Sequence, residues 1–303
     1  MLTSIVFSKD RALQLDLTLR SIKANLGFFD EVVVLYDISS DEHKLAYEKL
    51  SKEHENVQFI RQVGHYRNIF VATQTIIKNS KNDYIGMFTD DIIAYRQTTN
   101  GRKILDALET LVDGSDEAVY PCVFSLRLGG NTTQREHSGD LYNDILPEVF
   151  QVDDSLFWMW TMIPYGGYWG YPLSLDGHII RKNQWLTFFE ELVILDRHYS
   201  NKGVVPRAKF SWAQTPNTIE AKLQRNNYDL TNVMCSAVES CVVNSPNNRV
   251  QNDVENSSGD VYNYDAEYLN TLFLNGARIA LQKINFPEIR CPHTEIDILE
   301  GLK

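Results

Sequence analysis

The chain has no glycine before Gly27, although a first strand and a first helix are already legible ahead of it. Phosphate-binding turns on parallel sheets put glycines between those two elements, because a residue without Cβ lets backbone N–H groups close on the phosphate. Their absence excludes a G-x-G-x-x-G dinucleotide turn, a Walker-type loop and a glycine-rich nucleotidyl-transfer loop. Any phosphate bound here must be neutralised by other means. No apolar run approaches about 18 residues, so no membrane span is expected. The four cysteines, Cys122, Cys235, Cys241 and Cys291, form no CxxC pair. That excludes a zinc knuckle or disulfide frame and suits reduced thiols in a cytoplasmic protein. The N-terminal MLTSIVFSKDR has neither the basic flank nor the long apolar core of a secretory signal. No Lys/Arg block offsets a formal net charge of −11, so a nucleic-acid partner is not expected. What is present, 43% hydrophobic and 23% charged residues over 303 positions, is an ordinary globular balance large enough for a substantial core.

Apolar patterning gives the order of elements. SIVFS (4–8) reads as a strand, and DRALQLDLTLRSIKANL (10–26) as a helix closed by Gly27. EVVVLYD (31–37) is a β-branched second strand, SSDEHKLAYEKLSKEH (39–54) a capped amphipathic helix, and NVQFIRQ (56–62) a third strand. Residues 66–79 form a third helix, and DYIGMF (83–88) a fourth strand. This β-α-β-α-β-α-β alternation predicts a mostly parallel, Rossmann-like central sheet flanked by helices. The remainder contributes a strand at AVYPCVFSLRL (118–128), helices at TFFEELVILDRHY and AEYLNTLFLNGARIALQKI, and a polar loop over 245–265. No repeat or linker divides the chain, so 1–303 is expected to be one domain, with 1–117 and 118–303 as its halves.

Ligands of open parallel sheets gather at the C-terminal strand ends. Ser8, Asp37 and the pair Asp90–Asp91 all fall there, with Lys9 and Arg11 close by. Two adjacent carboxylates repel, and partial burial makes each more costly, so the pair calls for a cation, a shared proton or a basic partner. A hard divalent ion, Mn2+ or Mg2+, bridging Asp90 and Asp91 to a diphosphate is the simplest relief. One solvated Asp beside a helix cap is the bland alternative.

SIVFSKDRALQLDLTLRSI, EVVVLYD and YIGMFTDD together resemble the donor half of GT-A fold glycosyltransferases, particularly inverting family 2-type enzymes. The resemblance covers residues 4–95 and, less closely, 120–185. It implies a hexosyltransferase-like enzyme moving a sugar from a nucleotide-diphospho-sugar, a UDP-sugar foremost, to a glycan or other hydroxyl acceptor. Ser8, Lys9, Arg11, Asp37 and Asp90 would bind the nucleotide-sugar, and Asp90 and Asp91 would form the DxD-like metal motif. Thr89 departs from the family, where many members carry a further Asp. In YGGYWGYPLSLDGHIIR, Asp176 matches the catalytic base of direct displacement, and His178 a late metal ligand.

Each assignment has a competitor. Asp176 precedes Gly177, a common turn pair, and a lone His178 or His293 is more often a structural hydrogen bonder. Trp158, Trp160, Trp169 and Tyr165–Tyr171 offer a sugar-stacking platform, yet most suit a core. Arg127 and Arg249 are candidate cleft cations, and solvent exposure explains Arg249 equally well. The alternative function is a catalytically silent GT-A domain that recognises glycans.

Overall fold

The structure is a computed structural model and describes residues 1–98, 100–113, 117–137, 140–164, 167–201, 210, 212–226, 229–248, 250 and 261–302. Four parallel strands lie in the order β3-β2-β1-β4: β1 (Leu2–Lys9), β2 (Glu31–Asp37), β3 (Gln58–Arg61) and β4 (Tyr84–Thr89). They are joined by α1 (Ala12–Asn25), α2 (Asp41–Glu53) and α3 (Ile69–Asn79). The alternation of side chains explains why β1 and β4 read as continuous apolar runs. Leu2 and Val6, with Tyr84 and Phe88, enter a core shared with α1 and α2, whereas Ile5 and Phe7, with Ile85 and Met87, enter a second core with α3.

Helix starts follow local chemistry. Ser40 caps α2 by accepting from His43 N. The Asn68 side chain accepts from Phe70 N and Val71 N, which moves the third helix to begin at Ile69 instead of at 66. α1 is buried nearly all round and still carries Asp16, whose Oδ2 lies 2.6 Å from Arg20 Nη2 and whose Oδ1 lies 2.9 Å from His54 Nε2. Burial raises the Asp16 pKa, and these two partners more than reverse it.

Past β4 the sheet continues through His178–Arg181, Val123–Ser125, Val233–Ala237, Ser155–Met159 and Phe150–Val152, making nine strands. Only His178–Arg181 and Ser155–Met159 run against the rest, so the expected mostly parallel sheet is present and crosses both halves of the chain. A small antiparallel pair, β5 (Ile92–Ala94) with Val242–Asn244, brings the late chain back beside β4. The remaining helices are α4 (Gly101–Leu108), α5 (Lys182–Asn201), α6 (Pro216–Gln224) and α7 (Ala266–Leu274). Among the described residues, no helix is long and apolar enough to cross a membrane.

Three expectations change. The strand across 118–128 is split into Ala118–Val119 and Val123–Ser125 around Pro121, which cannot donate to a ladder. The helix across 266–284 stops at Leu274, because Gly276 takes φ +94°, a left-handed stop. Of the candidate sugar platform, Trp158 and Trp169 pack in the second core, beside Trp185, and Trp160 is partly buried against it. Tyr165 and Arg249 lie outside the described residues.

Gly129 sits where two backbones nearly touch: a Cβ there would lie 2.3 Å from Ser240 N and 2.6 Å from Glu239 C. Neither neighbour is a side chain that can swing away. Gly129→Ala is therefore expected to cost about 2 kcal/mol or more in chemical denaturation, and an unchanged midpoint would contradict this packing.

Candidate active site

The β1–α1 turn carries SKDR, and its backbone is held without glycine. Asp10 takes φ +54°, which Asp tolerates better than most residues, and its carboxylate accepts from Ser39 N at 2.9 Å and from the Ser39 hydroxyl. This ties the first strand–helix turn to the end of β2. Asp37 stands there, half-buried and in register with Lys9 of β1.

Asp90 and Asp91 leave the end of β4 and meet that turn. Asp90 is 3% exposed. Its Oδ2 accepts from Ser8 Oγ at 2.8 Å and from Lys9 N at 3.1 Å, and its Oδ1 from Arg11 Nη1 at 2.9 Å. The same Arg11 nitrogen reaches Asp91 Oδ2 at 3.0 Å. Asp91 Oδ1 accepts from Thr89 Oγ1 at 2.6 Å and from Asn244 Nδ2 at 2.9 Å. Arg11 is fixed further by Nη2 donating to the Asn248 carbonyl and by its backbone N–H on Tyr47 Oη at 3.3 Å. The Ser8 hydroxyl also hydrogen-bonds Tyr47 Oη. The relief the pair demands is thus a basic partner from the chain itself.

Asp176 arrives from the opposite side of β4. Gly177 N donates to Met87 O at 2.8 Å, and His178 pairs with Met87, so the turn is docked on the strand just before its acidic end. Gly177 needs its glycine: φ is +83°, and a Cβ would lie 2.9 Å from Val242. The result places Asp176 Oδ1 2.8 Å from Thr89 Oγ1, whose hydroxyl therefore links Asp176 to Asp91. On the other oxygen, Asp176 Oδ2 lies 3.4 Å from Arg127 Nη1 and 3.4 Å from His293 Nε2. His293 Nδ1 is 2.8 Å from Tyr168 Oη, and the Arg127 guanidinium lies over the Tyr168 ring at 5.1 Å.

Charge follows from these contacts. Burial raises the carboxyl of Asp90, Arg11 opposes it and Asp91 adds to it, leaving Asp90 pushed up to about 6. Burial also raises Asp176, but the hydrogen bond to His293 and the Arg127 charge bring it down to about 2. Asp176 is thus held as a carboxylate despite its burial. Nearby Glu220 is pushed up to about 8, first by burial and then by the charge of Asp176. His178 is buried, donates from Nδ1–H to Pro172 O at 2.9 Å, and is pushed down to about 3 by burial and by Arg127.

The residues present do not fit a divalent ion. Two of the four carboxylate oxygens of Asp90 and Asp91 already accept two donors each, and the other two face Arg11. Among the described residues, no group of three or more His, Cys, Asp or Glu could hold a metal. The expected ligand set of Asp90, Asp91 and His178 is accordingly not assembled. Sequence reasoning also missed Asn244, Asn248 and Glu220, and placed His293 only as a weak metal candidate. These come from loops whose polar composition carries no positional signal until the chain folds back on β4 and β5.

No protein-family model and no curated protein matches the chain. Solved structures similar to it include Staphylococcus aureus TarS, at 14% identity and TM-score 0.41, covering 80% of this chain and 36% of that one. Glucosyl-3-phosphoglycerate synthase from Mycobacterium tuberculosis, in complex with Mn2+, UDP and phosphoglyceric acid, is similar at 12% identity and TM-score 0.27, covering 41% and 42%. A cytidylyltransferase from Leptospira borgpetersenii is similar at 15% identity and TM-score 0.34, covering 68% and 69%. The chain spans about a third of the TarS structure and under half of the synthase.

The state of Asp90 gives a pH test. A folded pKa near 6, above the ordinary 3.8, means the folded state holds this proton more tightly than the unfolded chain. Its contribution is present at low pH and is lost as pH rises through about 6. Asp90→Asn, which cannot ionise, is expected to gain on wild type by on the order of 1–3 kcal/mol between about pH 4 and pH 7. Denaturation curves whose separation does not change with pH would contradict this state of Asp90.

Proposed function

We propose that the protein transfers a sugar from a nucleotide-diphospho-sugar to a hydroxyl acceptor, with inversion by direct displacement. One observation carries the reading: Ser8, Lys9, Arg11, Asp90 and Asp91 converge at the ends of β1 and β4, and Thr89 joins this group to Asp176 through a single hydroxyl. An anion-binding pole thus adjoins a carboxylate, the two functions a displacement needs side by side.

In this scheme the donor lies over the ends of β1, β2 and β4. Asp37 takes the nucleoside, Arg11 and Lys9 face the diphosphate, and Asp90, bonded to Ser8, Lys9 N and Arg11, holds that turn in place. The acceptor oxygen attacks the anomeric carbon as the bond from that carbon to the diphosphate oxygen breaks, and the electron pair leaves with the nucleoside diphosphate. The acceptor proton passes to Asp176. Asp176 is ionised throughout the neutral range, with Arg127 and His293 fixing its orientation. A weak base serves here because the attacking hydroxyl becomes strongly acidic only as its bond to carbon forms. The expected Mn2+ or Mg2+ has no step in this scheme, since the acidic pair does not fit one. UDP-sugars are the first donors to test.

Asp176→Asn keeps the size of the side chain and removes the proton acceptor. It is expected to leave the Kd for UDP or GDP within about twofold and to lower transfer by about 10²–10⁴-fold. Transfer is followed as nucleoside diphosphate release from UDP- and GDP-sugars, with water or an offered glycan as acceptor. Full turnover by Asp176→Asn would remove Asp176 from the chemistry. Glycan binding without any nucleotide binding would favour a recognition module.

A further inference from the structure

We propose that Arg11 is the resident cation of this site, so that the nucleoside diphosphate is held without a divalent ion. The inference rests on the donor-site reading above, and it replaces the metal expected from sequence with a residue of the chain.

A single nitrogen, Arg11 Nη1, touches both carboxylates, 2.9 Å from Asp90 Oδ1 and 3.0 Å from Asp91 Oδ2. That is the connectivity a bridging cation has. The guanidinium is anchored from other directions by the Asn248 carbonyl and Tyr47, and its side chain is 11% exposed. It does not deprotonate at any working pH, and no chelator removes it. A Mg2+ or Mn2+ in its place would draw most of its roughly six oxygens from waters and phosphates and about one or two from carboxylates. The oxygens here that do not face Arg11 are already filled by Ser8, Lys9 N, Thr89 and Asn244.

Thr89 points the same way. A third acid at this position would stand 2.6–2.8 Å from oxygens of Asp91 and Asp176, an arrangement tolerable only with an added cation. A hydroxyl is neutral: it donates its one proton to one of these carboxylates, stands within hydrogen-bond distance of the other, and adds no charge of its own. Within the site Arg11 faces Asp90 and Asp91 and Arg127 faces Asp176, while Lys9 contributes its backbone N–H. Arg11 Nε is buried and has no hydrogen-bond partner among the described residues.

The test has two arms. Free Mn2+ is titrated by electron paramagnetic resonance at about pH 8 with wild type, Arg11→Ala and Arg11→Ala/Asp91→Asn. Removing the guanidinium is expected to create a Mn2+ site at least about tenfold tighter than anything in wild type, and adding Asp91→Asn to abolish it. Arg11→Gln, which retains a hydrogen-bonding side chain without the charge, repeats the comparison if Arg11→Ala does not fold. Equal Mn2+ affinity in wild type and in the Arg11 variants would overturn the proposal. In the second arm, UDP and GDP are titrated calorimetrically into wild type with EDTA and with Mn2+. The expected result is one nucleotide bound with the same Kd, within about twofold, under both conditions. Binding that requires Mn2+ would overturn the proposal and leave the donor-site reading standing. Binding of neither nucleotide would overturn the donor-site reading, and with it the nucleotide half of the proposal, while the Mn2+ arm still decides the role of Arg11.

Discussion

The arrangement turns on one electrostatic constraint: two adjacent carboxylates end a buried strand, and the fold must supply the charge that lets them stay. Arg11 supplies it, and much of the surrounding structure exists to keep Arg11 in place. The β1–α1 turn is locked to β2 by Asp10 and Ser39, Tyr47 on α2 meets the Arg11 backbone, and the late chain contributes the Asn248 carbonyl. A guanidinium with partners on several sides loses little further entropy when a ligand arrives. The same solution recurs at Asp16, a second buried acid of α1, which Arg20 and His54 hold ionised. In both places burial alone would favour the neutral carboxyl. At Asp16 its partners win; at Asp90 the neighbouring Asp91 leaves the balance on the raised side.

Thr89 connects this pole to the other half of the site. Its hydroxyl oxygen lies within hydrogen-bond distance of two carboxylates and its one proton goes to one of them at a time, so Asp91 and Asp176 are linked across β4. Asp176 in turn shares Oδ2 between Arg127 and His293. The donor and acceptor sides of the proposed reaction are therefore one continuous network of hydrogen bonds. A change in charge at the diphosphate end has a short path to the carboxylate at the acceptor end.

The parallel half of the fold was legible because its strands are covered on both faces and its helices carry caps, features written locally in the sequence. Ser8, Lys9 and the acidic pair meet as the rule for parallel strand ends expects, while Asp37 stands beside them at the end of β2, in register with Lys9. What could not be read was how charge is shared. Arg11 was expected near the phosphate, but its position between Asp90 and Asp91 depends on Asn248, 237 residues further on. The strand His178–Arg181 was missed because four residues carry too little periodicity, although its docking on β4 is what delivers Asp176. His293 and Arg127 lower Asp176 against its burial, and both come from segments whose pairing is long-range.

The most direct measurement of the central claim is a crystal structure of the protein grown with UDP in EDTA. The account predicts the diphosphate at Arg11 and Lys9, the nucleoside over the ends of β1 and β2, and the Arg11 guanidinium still bridging Asp90 and Asp91. UDP bound elsewhere, or at the acidic pair with Arg11 swung out of it, would contradict the account.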